Sequence, residues 1–172
     1  HFRFGAEINR FIDANTIVIG DGGDIASASA KAIDILQPGQ WLDPGPLGCL
    51  GVGAPFAIAA AHLFPDKKIL IINGDGSFGL NGFEFDTAVR FNLPIVSIVG
   101  NDAGWGQIRG PQITMVGEVR AIATALAPTR YDKVVEALGG HGEHVTDPDE
   151  IGPALARAFA SGKAACVNVD LD

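Results

Sequence analysis

Cysteine is scarce in this chain. Only Cys49 and Cys166 occur among 172 residues, far apart and without metal-ligand spacing. That leaves no disulfide framework to organise the fold, and reduced thiols in a cytoplasmic protein are the expectation. Long apolar runs are also missing. None reaches the length of a membrane span, and no secretory signal is visible. Clustered basic charge is absent too: Lys67-Lys68 is the only adjacent basic pair, and it reads as the solvated entrance to a strand. With a net charge of −8, a nucleic-acid partner has no electrostatic footprint.

What remains is apolar and glycine-rich. Apolar residues make up 47% of the chain and charged residues 19%, which describes a well-buried globule rather than a disordered chain. The length suits one domain, residues 1–172, with a full core. The chain runs from His1 straight into helical pattern, so it reads as a piece of a longer protein.

Strand and helix patterns alternate. Residues 5–13 read as a helix, Thr16 to Gly20 as a buried strand, and Asp24 to Leu36 as a helix. A Pro/Gly-rich loop covers residues 37–48. Leu50 to Phe64 is apolar nearly all round and is expected to be a buried helix. Lys68 to Asn73 is the second strand, and residues 80–91 place Leu80, Phe83, Ala88 and Phe91 on one helical face. Pro94 to Gly100 is the third strand, followed by a loop without a clear pattern. Asp132 to Leu138 reads as a helix, Glu143 to Thr146 as a short strand, and Asp147 as the cap of a helix through Phe159. Ala165 to Val169 is the last strand. Uniformly apolar strands alternating with helices predict an α/β fold: three layers, a parallel sheet with helices on both faces.

Ligands of such sheets bind beyond the carboxyl ends of the strands. The loops 20–24, 74–79 and 101–106 lie there, and each is rich in Gly, Asp or Asn. The middle one, Gly74-Asp75-Gly76-Ser77-Phe78-Gly79, has the spacing of a dinucleotide fingerprint, and Asp102 lies near the position of its ribose-binding acid. Yet Asp75 would sit against the phosphates of such a ligand and repel them. A divalent cation removes the conflict. Mg²⁺ takes hard oxygen ligands from the protein and from substrate phosphates. Asp75 and the Asn101-Asp102 pair, both at strand ends, can converge on one ion, while glycine N–H groups and the Ser77 hydroxyl meet phosphate.

The stretch GDGSFGLNGFEFDTAVRFNLPIVSIVGND resembles the thiamin diphosphate signature, which opens with GDG and closes with a pair of asparagines. The resemblance extends over nearly the whole chain and is to the diphosphate-binding domain of the acetolactate synthase, benzaldehyde lyase and 2-hydroxyacyl-CoA lyase group. The segments WLDPGPLGCLGVGAPFAIAAA, WGQIRGPQ and RYDKVVEALGGHGEHVTDPDEIGPALARAFASG look most like the 2-hydroxyacyl-CoA lyase branch. The resemblance implies thiamin diphosphate and Mg²⁺ as cofactors. It implies Asp75, Asp102 and the Gly104 carbonyl as metal ligands. Gly23, Asp24, Gly74, Gly76 and Ser77 would meet the diphosphate. In the LGCLG segment, the Gly48 carbonyl would accept from the cofactor's amino group, with Cys49 beside it and Leu50 as the apolar wedge. The chain departs from the family at Asp102, where an asparagine is usual, which adds one negative charge to the cluster.

The implied reaction is carbon–carbon bond cleavage or ligation on a 2-hydroxyacyl-CoA, an acyloin or a 2-oxo acid. The activating glutamate is expected on a pyrimidine-binding domain outside this chain, in the same or a neighbouring subunit of a homodimer or homotetramer. No catalytic residue is therefore expected here; Glu84 reads as structural. An acetolactate synthase-type activity and a non-catalytic assembly module are the alternatives, with a dinucleotide oxidoreductase more distant. His141 and His144 lack a third ligand and read as surface loop residues. Trp105 reads as packing near the site. Gln107, Ile108 and Arg109 follow the metal loop and can face substrate.

Overall fold

A computed structural model describes residues 1–171. Six strands form one all-parallel sheet: β1 (Thr16–Asp21), β2 (Trp41–Leu42), β3 (Lys68–Gly74), β4 (Ile95–Asn101), β5 (His141–Val145) and β6 (Ala165–Asp170). Their order across the sheet is β2-β1-β3-β4-β6-β5. The chain steps outward from β1 to β2, then returns past β1 to β3. That reversal opens a crevice at the carboxyl ends of β1 and β3, where a parallel sheet binds its ligand.

Alternation along the strands divides the core in two. Val18, Leu70, Ile72, Val96 and Ile98 face one side and pack with Phe4 and Ile8 of α1 (Phe2–Asn9), Ile25 of α2 (Asp24–Ala30) and Leu155 of α8 (Ile151–Ala160). Ile17, Ile19, Ile69, Ile71, Ile95 and Val99 face the other. There they meet α3 (Gly53–Leu63), α4 (Asp75–Asn81), α5 (Phe85–Arg90) and α7 (Tyr131–Ala137). The expected three-layer α/β architecture is what the chain forms.

Several local readings are corrected, among them the end of α2, which stops at Ala30 rather than Leu36. The Pro/Gly-rich loop contains β2, whose Trp41 ring lies where a Cβ on Gly20 would reach it at 2.5 Å. Two residues are too few to show a period. Helix α3 is not buried all round: Ala54, Ala57, Ala60 and Ala61 face the sheet, while Phe56 and Leu63 stay exposed. After β3 the helix begins at once, at Asp75, and breaks into α4, a 3₁₀ turn and α5. Phe85 and Ala88 are buried there, but Leu80, Phe83 and Phe91 are exposed, so the expected apolar face is split. Finally, the unassigned segment after β4 holds a further helix, α6 (Gly106–Val116). Its Gly106, Gly110 and Pro111 hide the helical pattern, and none of its residues is buried.

His141 and His144 lie in β5 rather than in a loop, and each pairs with an acid, Glu143 and Asp170 respectively, at 2.9 Å. Among the described residues no helix is long and apolar enough to cross a membrane.

Candidate functional site

The ends of β1, β3 and β4 stand side by side, with Asp21 opposite Asn73 and Gly74 opposite Gly100. A pocket opens over them. Gly22, Gly23 and Asp24 line it from β1, Gly74 to Ser77 from β3, and Asp102, Gly104, Trp105, Gly106 and Gln107 from β4. Leu50 adds an apolar side. A second pocket adjoins it, sharing Gly22, Gly23, Leu50 and Gln107 and reaching Gly48.

The floor is built for close backbone approach. Gly22 has φ +122°, a conformation L side chains rarely adopt, and a Cβ there would lie 2.6 Å from Ser77 Oγ. At Gly76 a Cβ would lie 2.6 Å from the Trp105 ring. Trp105 is thus the wall of the Gly76 turn, as its packing reading anticipates. Ser77 is buried, and its hydroxyl donates to the Asp21 carbonyl at 2.6 Å, tying the β3 loop to the end of β1.

Asp75 opens α4 and is only 2% exposed. Its Oδ1 accepts from the Gly76 N–H at 2.7 Å and its Oδ2 from the Gly104 N–H at 2.9 Å. Burial pushes its carboxyl above the ordinary range; the two N–H groups oppose this, and Asp102 adds to it. Asp102, exposed at the pocket mouth, is raised as well, first by partial desolvation and then, against its backbone donors, by the charge of Asp24. A Cβ placed on Gly106 would lie 2.7 Å from Asp102 Oδ2 and 3.6 Å from Asp24 Oδ2, so those oxygens are no more than about 6.3 Å apart. Among the described residues no Lys, Arg or His forms an ion pair with Asp24, Asp75 or Asp102.

The loop after β4 is fixed from outside. Asn101 is buried, donating to the Thr129 carbonyl at 2.8 Å and Asn168 Oδ1 at 3.1 Å and accepting from the Ala103 N–H at 3.1 Å. It shapes the loop and leaves the pocket to Asp102. The Trp105 N–H donates to the Thr124 carbonyl and the Leu126 N–H to the Ala103 carbonyl. Neither bond uses the Gly104 carbonyl. Among the described residues no three His, Cys, Asp or Glu side chains converge on one metal position. A cation here would rest on two carboxylates, a backbone carbonyl and oxygens of its ligand, a donor set that suits Mg²⁺.

The other expected residues divide. Gly48, at φ +62°, and Leu50 stand at the rim, while Cys49 is exposed and lines neither pocket. Gln107 and Ile108 line the pocket, but Arg109 turns toward Glu118 at 3.9 Å. Glu84 accepts from Thr87 Oγ1 at 2.9 Å, a local structural bond. Asp21 and Asn73 carry no sequence signal of a role at the site. Both are buried, and only their hydrogen-bond partners, distant in the chain, mark them.

Glycine-lined strand ends carrying acids without counterions define an α/β domain that holds an anionic cofactor through a cation. The comparisons give that class a family. Residues 21–169 match the family model described as thiamine pyrophosphate enzyme, C-terminal TPP binding domain, and the chain belongs to this family. It is 46% identical over 171 residues to a probable acetolactate synthase of Mycobacterium bovis, covering 99% of this chain and 31% of that protein. To 2-hydroxyacyl-CoA lyase 2 of Caenorhabditis elegans it is 39% identical over 168 residues, 94% of this chain and 26% of that one. The Homo sapiens 2-hydroxyacyl-CoA lyase 2 is 44% identical over 128 residues, 74% of this chain and 20% of that one. The chain therefore spans less than a third of the length of these curated relatives. Thiamin diphosphate, the same molecule as thiamine pyrophosphate, is the cofactor of the family.

Proposed function

We propose that this chain supplies the diphosphate- and Mg²⁺-holding half of an enzyme that breaks or forms a carbon–carbon bond with thiamin diphosphate. The observation that carries the reading is the acid cluster: Asp75, Asp102 and Asp24 share one glycine-lined pocket, and among the described residues no basic side chain pairs with them. An anionic ligand alone would be repelled there; an anion that brings a divalent cation would not.

In this reading Asp75, Asp102 and the Gly104 carbonyl hold Mg²⁺. Gly74, Gly76 and the main chain at Ser77, with Gly23 and the backbone at Asp24, meet the diphosphate; the Ser77 hydroxyl is taken by the Asp21 carbonyl. Gly48 and Leu50 form the rim toward the rest of the cofactor, with Cys49 exposed between them. When bound, the cofactor supplies a carbon nucleophile and an electron sink. The chain's own contribution is to bind, orient and exclude water: Trp105 and Leu50 wall the pocket, and the Gly104 N–H fixes the Asp75 carboxylate. No glutamate lines either pocket among the described residues. We assign the activating acid to a pyrimidine-binding domain of the same or a neighbouring subunit, in a homodimer or homotetramer, as the family resemblance implies.

The substrate reading is a 2-hydroxyacyl-CoA or related acyloin, supported by the relatives named 2-hydroxyacyl-CoA lyase 2. A second reading, joining two 2-oxo acids, is supported by the mycobacterial relative named a probable acetolactate synthase. Product analysis with each substrate class separates them. Calorimetry on the full-length protein tests the shared basis: thiamin diphosphate binding that requires Mg²⁺, and no binding of NAD, are expected. Binding of NAD, or of thiamin diphosphate equally well without a divalent cation, refutes it. The isolated 172-residue chain is expected to show no turnover.

A further inference from the structure

The buried carboxylate of Asp21 takes no part in the proposed site, yet three donors from two other segments converge on it. Asp21 ends β1 and is 1% exposed. Its Oδ1 accepts from the Gly51 N–H at 3.0 Å. Its Oδ2 accepts from the Gly53 N–H at 2.7 Å and from Asn73 Nδ2 at 3.2 Å. Its main-chain carbonyl takes the Ser77 hydroxyl. One residue thus holds the segment that carries Leu50 and, through Ser77, the loop that carries Asp75 and Gly76.

The fit is tight on all sides. A Cβ on Gly53 would lie 2.9 Å from Asp21 Oδ2 and 2.8 Å from Ile71 Cγ2. On Gly51, at φ +86°, it would meet Leu80 Cβ at 2.9 Å. Asn81 Nδ2 grips the Gly51 carbonyl at 2.8 Å from the far side. The chemistry of residue 21 is also narrow. Both of its side-chain oxygens face N–H donors, so both must accept. A carboxylate does this; an amide of the same shape turns an NH₂ against one of them. Among the described residues no Lys, Arg or His pairs with it, and burial pushes the carboxyl upward against those donors.

We propose that Asp21 is a positioning residue: it sets the height of the Gly48–Leu50 rim over the Gly74–Ser77 floor, so that both halves of the cofactor cradle are referenced to one buried carboxylate. The proposal rests on the thiamin diphosphate reading given above.

The test uses the full-length protein with Asp21→Asn and Asp21→Glu. Asp21→Asn leaves one rim donor unpaired; Asp21→Glu keeps every acceptor but pushes the rim outward by a methylene. Calorimetry with thiamin diphosphate and Mg²⁺ separates the two roles, because the stoichiometry reports the folded fraction and Kd reports the cradle. Asp21→Asn is expected to raise Kd about tenfold, the scale of one lost buried hydrogen bond, and Asp21→Glu, which displaces the rim while keeping the acceptors, is expected to raise it as well. Hydrogen exchange is expected to quicken at Gly51 and Gly53 while Ile71 and Ile98 stay protected. Unchanged Kd in a folded variant overturns the proposal, as does unchanged exchange at Gly51 and Gly53. If Asp21→Asn does not fold, Asp21→Glu alone decides by the same two readings. Should the unmodified protein bind no thiamin diphosphate, the functional reading fails, and the exchange arm still decides whether Asp21 holds the rim.

Discussion

Replacing Gly76 by alanine sets two known effects against each other. Gly76 lies in the first turn of α4, and its φ is not in the left-handed region. On propensity alone the change stabilises the helix, by at most about 1 kcal/mol and less near an end. Against that, the new methyl carbon would lie 2.6 Å from two atoms of the Trp105 ring and 2.9 Å from a third. The backbone under the ring is fixed, because the Trp105 main-chain N–H donates to the Thr124 carbonyl at 2.9 Å and the loop bridges to Ala125, so relief requires the bulky ring itself to turn. Overpacking of this kind costs roughly 1–3 kcal/mol. The steric effect wins, and Gly76→Ala is expected to destabilise by about 1–2 kcal/mol. With Trp105→Ala in place the clash disappears, and Gly76→Ala is then expected to be neutral or stabilising. Urea unfolding of the four proteins gives the coupling energy. A coupling below about 0.5 kcal/mol, the level at which distant sites simply add, refutes the reasoning.

Two further outcomes follow from charge. Asp24→Asn removes an acid within about 6.3 Å of Asp102; with water-like screening that spacing is worth about 0.7 kcal/mol, or roughly threefold in affinity. It is expected to weaken Mg²⁺ binding and strengthen metal-free binding of the diphosphate, each about threefold; shifts of the same sign would contradict the electrostatic account. At the opposite edge, Arg157 beside Glu143 holds that carboxyl below its ordinary value of 4.5, with His141 helping. A carboxyl depressed on folding contributes stability above its unfolded value and loses it as pH falls. Arg157→Gln is therefore expected to destabilise at pH 7 by about 0.5–1 kcal/mol, the scale of a partly exposed pair. The gap should close progressively below pH 4.5 in urea titrations at several pH values; a pH-independent gap would point to lost packing instead.

The sequence by itself determined the layers and the chemistry of the motif. Runs such as Ile69 to Ile72 are apolar on both faces and leave no solvent side, so a parallel sheet under two helix layers is their only economical burial. The conflict between Asp75 and any phosphate follows from charge alone, and so does the cation that resolves it. The resemblance carried by GDG and Asn101-Asp102 agrees with the family that the chain matches. Hidden were the elements without a period: β2 with its two residues, α6 with two internal glycines and Pro111, and the break between α4 and α5 that leaves Phe83 outside. Hidden too was the division of labour in Asn101-Asp102, where one side chain locks a loop and the other faces the pocket. Only tertiary structure could decide these, and Asp21 is the clearest case. Its partners Gly51, Gly53 and Asn73 stand 30, 32 and 52 residues away, and what brings them together is the pairing of β1 with β3 and the packing of α3. Periodicity reports which side of an element is buried. It does not report which distant N–H groups a buried oxygen will meet, and those contacts build this pocket.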